Sequence, residues 1–424
     1  MLSLQRIREN PKEIERRLQT RDPQIKLDEL LRLDEERRRL IVQTEELKRQ
    51  RNEGSEQIGK LLQEKKEKEA QALKDEMKKL SDRIKQLSDE LQQKETRINE
   101  LLARVPNVPH ESVPISLNKG DKKVLREYKA KREFDFPFKT YLELGEALNL
   151  LDFQRAAKIA GSRFPMYKGW GAKLEMALIT FMFKYQVEKN EYTPIFPPFL
   201  GNEMSFFTAS QLPKFKDDVY VIEKDGLYLN PTAEVLLANL HRDEILDADQ
   251  LPLKYAAYTA CFRREAGSYG EEEKGLIRMH QFNKVELFKF TKPENSYAEL
   301  EKLVEDAEAI LKELDLHYRV TLLPTCDLAQ QSAKTIDLEV WIPSQGRYYE
   351  VSSCSNCEDF QARRGNIRFR REKNAKPEFV HMLNGSGLAT SRLFAAILEN
   401  NQQKDGSIVV PKPLRDYLGT DVIR

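Results

Sequence analysis

The first 127 residues of this 424-residue chain contain no aromatic side chain, and all 2 Trp, 15 Tyr and 20 Phe lie from Tyr128 onward. A chain of this length exceeds one domain of ordinary size, so two domains are expected. The change in composition indicates where they meet. An elongated N-terminal part precedes a larger part that holds the aromatic core.

The N-terminal part has the spacing of paired helices. A heptad series is sustained over four repeats, broken only by Lys94: Leu73, Met77, Leu80, Ile84, Leu87, Leu91, Ile98 and Leu101. A weaker series precedes it: Leu30, Leu33, Leu40, Leu47, Ile58 and Leu61, interrupted by Arg37, Thr44, Arg51 and Gly54. We predict two helices of about 35 residues, each reaching about 50 Å. With a short bridge near residues 64–70, they would form an antiparallel hairpin.

This helical arm has two interpretations. It is either a spacer or dimerising coiled coil, or a lever that contacts an extended ligand through basic clusters at residues 37–39, 65–66 and 78–79. The prolines at 106, 109 and 114 forbid a continuing helix. We therefore predict an arm over residues 1–110 and an α+β domain over residues 111–424. Helices are expected within that domain at residues 145–160, 171–189 and 294–314.

Charge and cysteine content exclude several classes of protein. Lys+Arg 70 against Asp+Glu 69 gives a net charge of +1, so a polyanion would have to be held by local patches. The four cysteines, at 261, 326, 354 and 357, form no disulfide framework, which fits a reducing cytoplasm. The CxxC at 354–357 lacks a second pair, so no zinc is expected. The N-terminus has no apolar targeting segment, and no membrane span is predicted.

Residues 258–290 are the most informative segment for function. Both ends alternate like strands, and the sequence AGSYGEEEKG between them is typical of a hairpin loop. The polar faces carry Arg263, whose fork suits a phosphate, and Glu265 and Glu286, whose carboxylates suit an ammonium group or metal-bound oxygens. The alternative is an edge hairpin with a solvated face.

Four other segments carry candidate chemistry. Residues 192–200 (YTPIFPPFL) predict a proline-bearing strand. Residues 228–234 (YLNPTAE) predict a strand that turns into a helix whose first turn exposes Thr232 and Glu234, although Thr232 also suits an N-cap.

The remaining two segments lie near the C-terminus. Residues 347–369 begin with a strand that would place Glu350 and Ser352 on one face, and Glu350 with Ser353 could supply hard oxygens to Mg²⁺ beside a triphosphate. Residues 381–400 predict a glycine-rich turn entering an apolar helix. Arg392 in its first turns offers a phosphate site.

In this order the segments resemble the class II aminoacyl-tRNA synthetases and, within them, the bacterial-type seryl-tRNA synthetases. Motif 1 corresponds to residues 192–200, with Pro198 at the family's proline. FRREAGSYG through RMHQFNKVELFKF resembles motif 2, and NGSGLATSRLFAAILEN resembles motif 3. TAE at 232–234 and EVSSCSN match the serine enzymes, and the likeness covers essentially the whole chain. Ser391 and Met382 depart from the residues common in relatives, a proline and a threonine.

The resemblance implies a fold and an activity. The fold would be α+β, with an antiparallel helical hairpin and a class II domain built on a mainly antiparallel sheet flanked by helices. The activity would be ATP-dependent attachment of L-serine to tRNA(Ser) through a seryl-adenylate, with release of AMP and diphosphate. Whether tRNA(Sec) is also charged stays open. A cytoplasmic homodimer is implied, with motif 1 at its interface and the arm reaching tRNA on the partner subunit.

The resemblance also implies roles for individual residues, with Arg263 and Arg392 as the catalytic pair. The serine pocket would comprise Thr232, Ala233, Glu234, Glu286 and Ser386. The ATP site would comprise Arg263, Arg264, Glu265, Phe282, Glu350, Val351, Ser352, Ser353 and Arg392. Mg²⁺ would be bound by Glu350 and Ser353.

Two other functions remain open from the sequence. A sister class II synthetase for threonine or proline would share motifs 1–3, but would lack TAE, EVSSCSN and the heptad arm together. A non-enzymatic coiled-coil adaptor with a degenerate synthetase domain would require the loss of an arginine or carboxylate. Arg263, Glu286, Glu350 and Arg392 are all present.

Overall fold

The computed structural model describes residues 1–266 and 275–424. These form two compact units, one of residues 2–19 and 24–105, the other of residue 1, residues 20–23 and residues 106–424. Most of the predicted hairpin loop, residues 267–274, lies outside the described residues. No helix in the described ranges combines the length and the apolar character needed to cross a membrane.

The first unit is helical throughout its regular structure, with α1 (Leu4–Glu9), α2 (Pro11–Gln19), α3 (Asp28–Gln63) and α4 (Glu67–Arg104). Helices α3 and α4 pack against each other in antiparallel fashion, since Arg97 Nη2 lies 2.9 Å from Glu29 Oε1. The predicted hairpin is therefore confirmed. Its bridge, residues 64–66, is shorter than expected.

The breaks in the heptad pattern lie at helix–helix contacts. Thr44 and Gly54 are buried, and a Cβ at Gly54 would lie 2.3 Å from Met77 Sδ. Glycine thus lets α3 approach α4 closely. Lys94 Nζ lies 2.5 Å from Glu36 Oε2 across the hairpin. Gly54 and Lys94 thus take part in contacts between the two helices.

The second unit is built on sheets flanked by helices. Its helices are α5 (Tyr141–Ala147), α6 (Phe153–Ala160), α7 (Trp170–Glu188), α8 (Glu203–Thr208), α9 (Glu234–Leu237), α10 (Ser296–Glu313), α11 (Phe360–Gly365), α12 (Thr390–Asn401) and α13 (Arg415–Leu418). Its strands are β1 (Lys123–Tyr128), β2 (Thr193–Ile195), β3 (Leu200–Asn202), β4 (Val221–Ile222), β5 (Leu227–Leu229), β6 (Ile245–Asp247), β7 (Leu253–Phe262), β8 (Gln281–Thr291), β9 (Tyr318–Leu322), β10 (Lys334–Ile342), β11 (Arg347–Asn356), β12 (Arg368–Arg370), β13 (Glu378–Phe379), β14 (His381–Ala389), β15 (Ile408–Val409) and β16 (Val422–Ile423).

The main sheet has eight strands in the order β1-β9-β10-β11-β14-β8-β7-β2. Every pairing in it is antiparallel except the parallel one between β2 and β7. Helices α7, α10 and α12 pack against this sheet and share its apolar core. The predicted α+β class with a mainly antiparallel sheet is confirmed. The β7–β8 hairpin lies inside the sheet, so its interpretation as an edge hairpin is wrong.

Two local predictions need correction. The helix expected over residues 145–160 is divided into α5 and α6, because Asn149 adopts a left-handed φ of 52° and the Asp152 side chain caps α6. The glycine-rich segment before Arg392 is strand β14 and not a turn. Its glycines serve close packing, since a Cβ at Gly385 or Gly387 would lie 2.9 Å from a neighbouring side chain.

Candidate active site

Strands β8, β11 and β14, together with Arg263 directly after β7, line a cavity of about 490 Å³, beside a smaller one of about 180 Å³. Six residues line both cavities: Arg263, Glu265, Arg278, Lys284, Glu350 and Ser386. The larger cavity also contains Thr232 and Glu234, and the smaller one contains Phe282 and Arg392. Segments far apart in sequence thus converge on one cleft.

Glu234 is a buried carboxyl held in one orientation. Its Oε1 accepts hydrogen bonds from Gln331 Nε2 (3.0 Å), Gln361 Nε2 (2.7 Å) and Asn384 Nδ2 (3.1 Å). Burial and, second to it, the nearby charge of Glu286 raise the pKa of Glu234 to about 7, against the lowering effect of Lys284 and of the hydrogen bonds from Gln361 and Gln331. The carboxyl therefore changes charge close to neutral pH.

Glu286 forms the second acidic group of this pocket. Its Oε2 accepts a hydrogen bond from Thr232 Oγ1 (2.9 Å) and lies 2.5 Å from Lys284 Nζ. Thr232 and Glu234 are buried, so the prediction that a helix turn exposes them is wrong. Helix α9 starts at Glu234 with Ala233 at the N-cap position, so Thr232 is not the N-cap. Ala233 itself packs in an apolar cluster away from the cavity lining.

Arg263 and Arg392 line the smaller cavity. The Arg263 guanidinium stacks 5.0 Å from the centroid of the Phe282 ring. Arg392, the third residue of α12, donates from Nε to Ile277 O (3.2 Å) and from Nη1 to Glu350 O (2.8 Å). Arg264 is exposed and lies outside the linings of both cavities.

A β-bulge in β11 corrects the predicted face of that strand. Leu338 pairs with Ser352 and Glu339 pairs with Glu350, which leaves Val351 as an extra residue. Glu350 and Ser353 therefore line the larger cavity together. The prediction that Glu350 and Ser352 share a face is wrong. Ser352 and Val351 are buried, and Ser352 Oγ donates to Ser386 O (2.6 Å).

The structure adds residues that the sequence analysis missed. Lys284 and Asn384 lie two positions before Glu286 and Ser386 on their strands, so alternation could have identified both. Arg278 Nη1 donates to Glu265 Oε2 (2.7 Å) and stands in the motif 2 segment. Gln361 reaches Glu234 from 127 residues away, and Gln331 from 97. No local signal identifies these two amides.

Comparison with known proteins assigns the family. Residues 1–109 match the model of the seryl-tRNA synthetase N-terminal domain, and residues 215–401 match that of the tRNA synthetase class II core domain (G, H, P, S and T). The Serine–tRNA ligase of Caldicellulosiruptor bescii is 54% identical over 424 residues, all of both chains. The chain belongs to the serine–tRNA ligase family.

Solved structures agree with this assignment to the serine–tRNA ligase family. The crystal structure of seryl-tRNA synthetase from Pyrococcus horikoshii, complexed with ATP, superposes with a TM-score of 0.94 at 38% identity, covering 100% of this chain and 99% of that one. Prolyl-tRNA synthetase from Giardia lamblia, in complex with prolyl-adenylate, has a TM-score of 0.56 at 18% identity over 66% of this chain and 57% of that one. This second likeness shows a common fold alone.

Proposed function

We propose that this chain activates L-serine with ATP and transfers the seryl group to tRNA(Ser), releasing AMP and diphosphate. One observation supports the proposal above others. A pocket with two buried glutamates, Glu234 and Glu286, opens beside a cleft lined by Arg263 and Arg392. A carboxylate pair suits the ammonium group of an amino acid, and the arginines suit the phosphates of a nucleotide.

The serine subsite would combine charge and hydrogen bonding. Glu234 and Glu286 would face the ammonium group, while Thr232 and Ser386 supply polar contacts for the side-chain hydroxyl. Alanine lacks that hydroxyl and would leave buried polar groups unpaired, and selectivity of this kind reaches roughly 10⁴–10⁵ in other synthetases. Ala233 would contribute only through its backbone, because its methyl group is buried in the core.

The ATP subsite would use the smaller cavity and its boundary with the larger one. Phe282 would stack on adenine, Arg263 would contact the α-phosphate, and Arg392 the γ-phosphate. Glu265 lies beside them, ion-paired with Arg278. Arg264 is proposed to contact ATP from the resemblance alone. The side chains of Val351 and Ser352 are buried, so only their backbone atoms could contact ATP.

The reaction would proceed by two substitutions. A serine carboxylate oxygen attacks the α-phosphorus of ATP, the bond to the bridging oxygen breaks, and diphosphate leaves. A terminal ribose hydroxyl of tRNA then attacks the activated carbonyl carbon, and AMP leaves. Arg263 and Arg392 hold the phosphates in line and neutralise developing charge, so no protein nucleophile is needed.

The site fits a magnesium ion that is held jointly by protein and nucleotide. Glu350 and Ser353 present a carboxylate and a hydroxyl to the same cavity, and Mg²⁺ prefers such oxygen ligands. Among the described residues no group of three or more His, Cys, Asp and Glu side chains could hold a metal. Nucleotide phosphates would complete the coordination. When bound, the ion would neutralise phosphate charge.

The remaining proposals concern organisation. We place the arm at residues 1–110 and the catalytic domain at residues 111–424. We propose a cytoplasmic homodimer whose arm contacts tRNA bound at the partner subunit. The four cysteines are free in the structure.

A pyrophosphate-exchange assay with each of the twenty amino acids tests the reaction. We expect exchange with serine alone. The proposed polar pocket would reject side chains that lack the serine hydroxyl and side chains that are larger than that of serine. Exchange with threonine or proline instead would indicate a sister synthetase. No exchange with any amino acid would indicate an adaptor. Charging of tRNA(Ser) and tRNA(Sec) transcripts in parallel shows whether one or both are substrates.

Serine binding should weaken as pH falls through 7. The pKa of Glu234 is raised to about 7, so its carboxyl takes up a proton below that pH and loses its attraction for the ammonium group. With a pKa of about 7, the ionised fraction of Glu234 is about ten times larger at pH 8 than at pH 6. The serine KM should therefore rise about tenfold between pH 8 and pH 6. Glu234→Gln should bind serine weakly with a flatter profile. A wild-type KM that does not change over this range would contradict the role of Glu234.

A further inference from the structure

A buried hydrogen-bond network lies behind the smaller cavity. Glu175 of α7 is 4% exposed, and its Oε1 accepts from Asn283 Nδ2 (2.8 Å) and Thr390 Oγ1 (2.5 Å). Asn283 Oδ1 in turn accepts from the hydroxyl of Tyr258 (3.0 Å). One carboxyl thus connects α7 with β8 and with the first residue of α12, and through Asn283 with β7.

The two residues held by Glu175 are adjacent to those that line the cavity. Asn283 lies between Phe282 and Lys284, and side chains alternate along a strand, so both neighbours face the cleft. Thr390 lies between Ala389 and Ser391, which also line the smaller cavity and are followed by Arg392. Glu175 therefore joins two walls of this cavity through residues that do not line it.

The burial of Glu175 carries a cost in folding free energy. Its Oε2 is buried without a hydrogen-bond partner in the described part of the chain, and so is the hydroxyl of Tyr167, whose ring packs 5.1 Å from Phe394 of α12. Burial also raises the pKa of Glu175 to about 7. Leaving polar groups buried and unpaired destabilises a fold. A requirement of the binding site explains why such a group stands here.

We propose that Glu175 is a positioning residue for ATP. It holds β8 and α12 at the separation at which Phe282 and Arg392 engage the base and the terminal phosphate of one nucleotide, and it touches neither itself. The inference rests on the proposed function for the identity of that nucleotide. Glu175 lies outside the three signature motifs, so the resemblance did not identify it.

Calorimetric titration of the full-length protein with ATP and Mg²⁺ at pH 8 tests this role. Glu175→Gln keeps the size of the side chain but replaces a charged acceptor by a neutral one. We expect its Kd for ATP to rise about tenfold, as for one weakened hydrogen bond to a charged group. The matched control is Glu399→Gln. Glu399 is equally buried but lies at the far end of α12, where it accepts from the backbone N–H groups of Tyr141 and Ser344 (2.8 Å each).

The control should lose thermal stability with an unchanged Kd for ATP. An unchanged Kd in Glu175→Gln, or an equal rise in Glu399→Gln, would overturn the proposal. If Glu175→Gln fails to fold, Thr390→Val removes one of the two donors, and its Kd should rise severalfold; an unchanged value would equally overturn it. Serine-dependent exchange by the wild-type protein tests the proposed function separately, since ATP binding without exchange would refute that function and leave the role of Glu175 intact.

Discussion

Replacing Arg263 by alanine is expected to slow serine-dependent pyrophosphate exchange by about 10²–10³-fold, the effect of removing one group that stabilises transition-state charge. The Arg263 guanidinium lies at the boundary of the two cavities, 5.0 Å from the Phe282 ring. In the proposed reaction, charge develops there as the α-phosphorus changes its bonding. Serine and ATP would still bind, so the loss should fall mainly on kcat.

Arg264→Ala is the matched comparison for this prediction. Arg264 is the next residue and is exposed like Arg263, but it lies outside both cavity linings. A large loss confined to Arg263→Ala would assign the phosphate contact to that side chain, and equal losses would assign it to the segment. Thermal melting of each variant controls for folding. Normal exchange by Arg263→Ala would refute the assignment.

Removing the helical arm is expected to abolish most tRNA charging while leaving amino-acid activation intact. Residues 28–102 can be replaced by a short linker, because Glu29 at the start of α3 lies 2.9 Å from Arg97 near the end of α4. Charging should fall on the order of a hundredfold at physiological salt, since several phosphate contacts would be lost at once. Pyrophosphate exchange should be unchanged, and light scattering should give the mass of two truncated chains. Charging at the wild-type rate would make the arm a spacer.

The ion pairs of the arm refine which basic residues to test. Arg37 and Arg38 lie 3.4 and 3.2 Å from the buried carboxylate of Asp34, so the arginine cluster is engaged within the helices. Lys78 and Lys79 lie in exposed positions on α4. Alanine at both lysines should weaken charging and lower its salt dependence while the hairpin persists.

Much of the fold followed from periodicity. The heptad spacing predicted the helical hairpin, and α10 (Ser296–Glu313) forms within the helix predicted over residues 294–314. Alternation in β7 and β8 predicted the antiparallel pair that carries Glu286. Such patterns can be recognised in the sequence because they depend on spacings of two to four residues and are therefore local.

The composition of the cleft was less accessible. The bulge at Val351, which brings Glu350 and Ser353 to one face, depends on how β11 pairs with β10 and has no signature in β11 alone. In the sequence, Glu175 is one polar residue of an apolar helix. Its role emerges only where Asn283 and Thr390 meet it.

By itself, the sequence determined the family, the two-part organisation and part of the cleft, including Arg263, Glu286 and Glu350, because motifs and periodicities are local. Only the tertiary structure decided which side of each strand faces the cleft and which carboxyls have a pKa raised to near neutral pH. The pKa of Glu234 depends on burial, on Glu286 and on amides from three distant segments. Desolvation and charge coupling act between groups that are close in space, and folding alone brings these groups together.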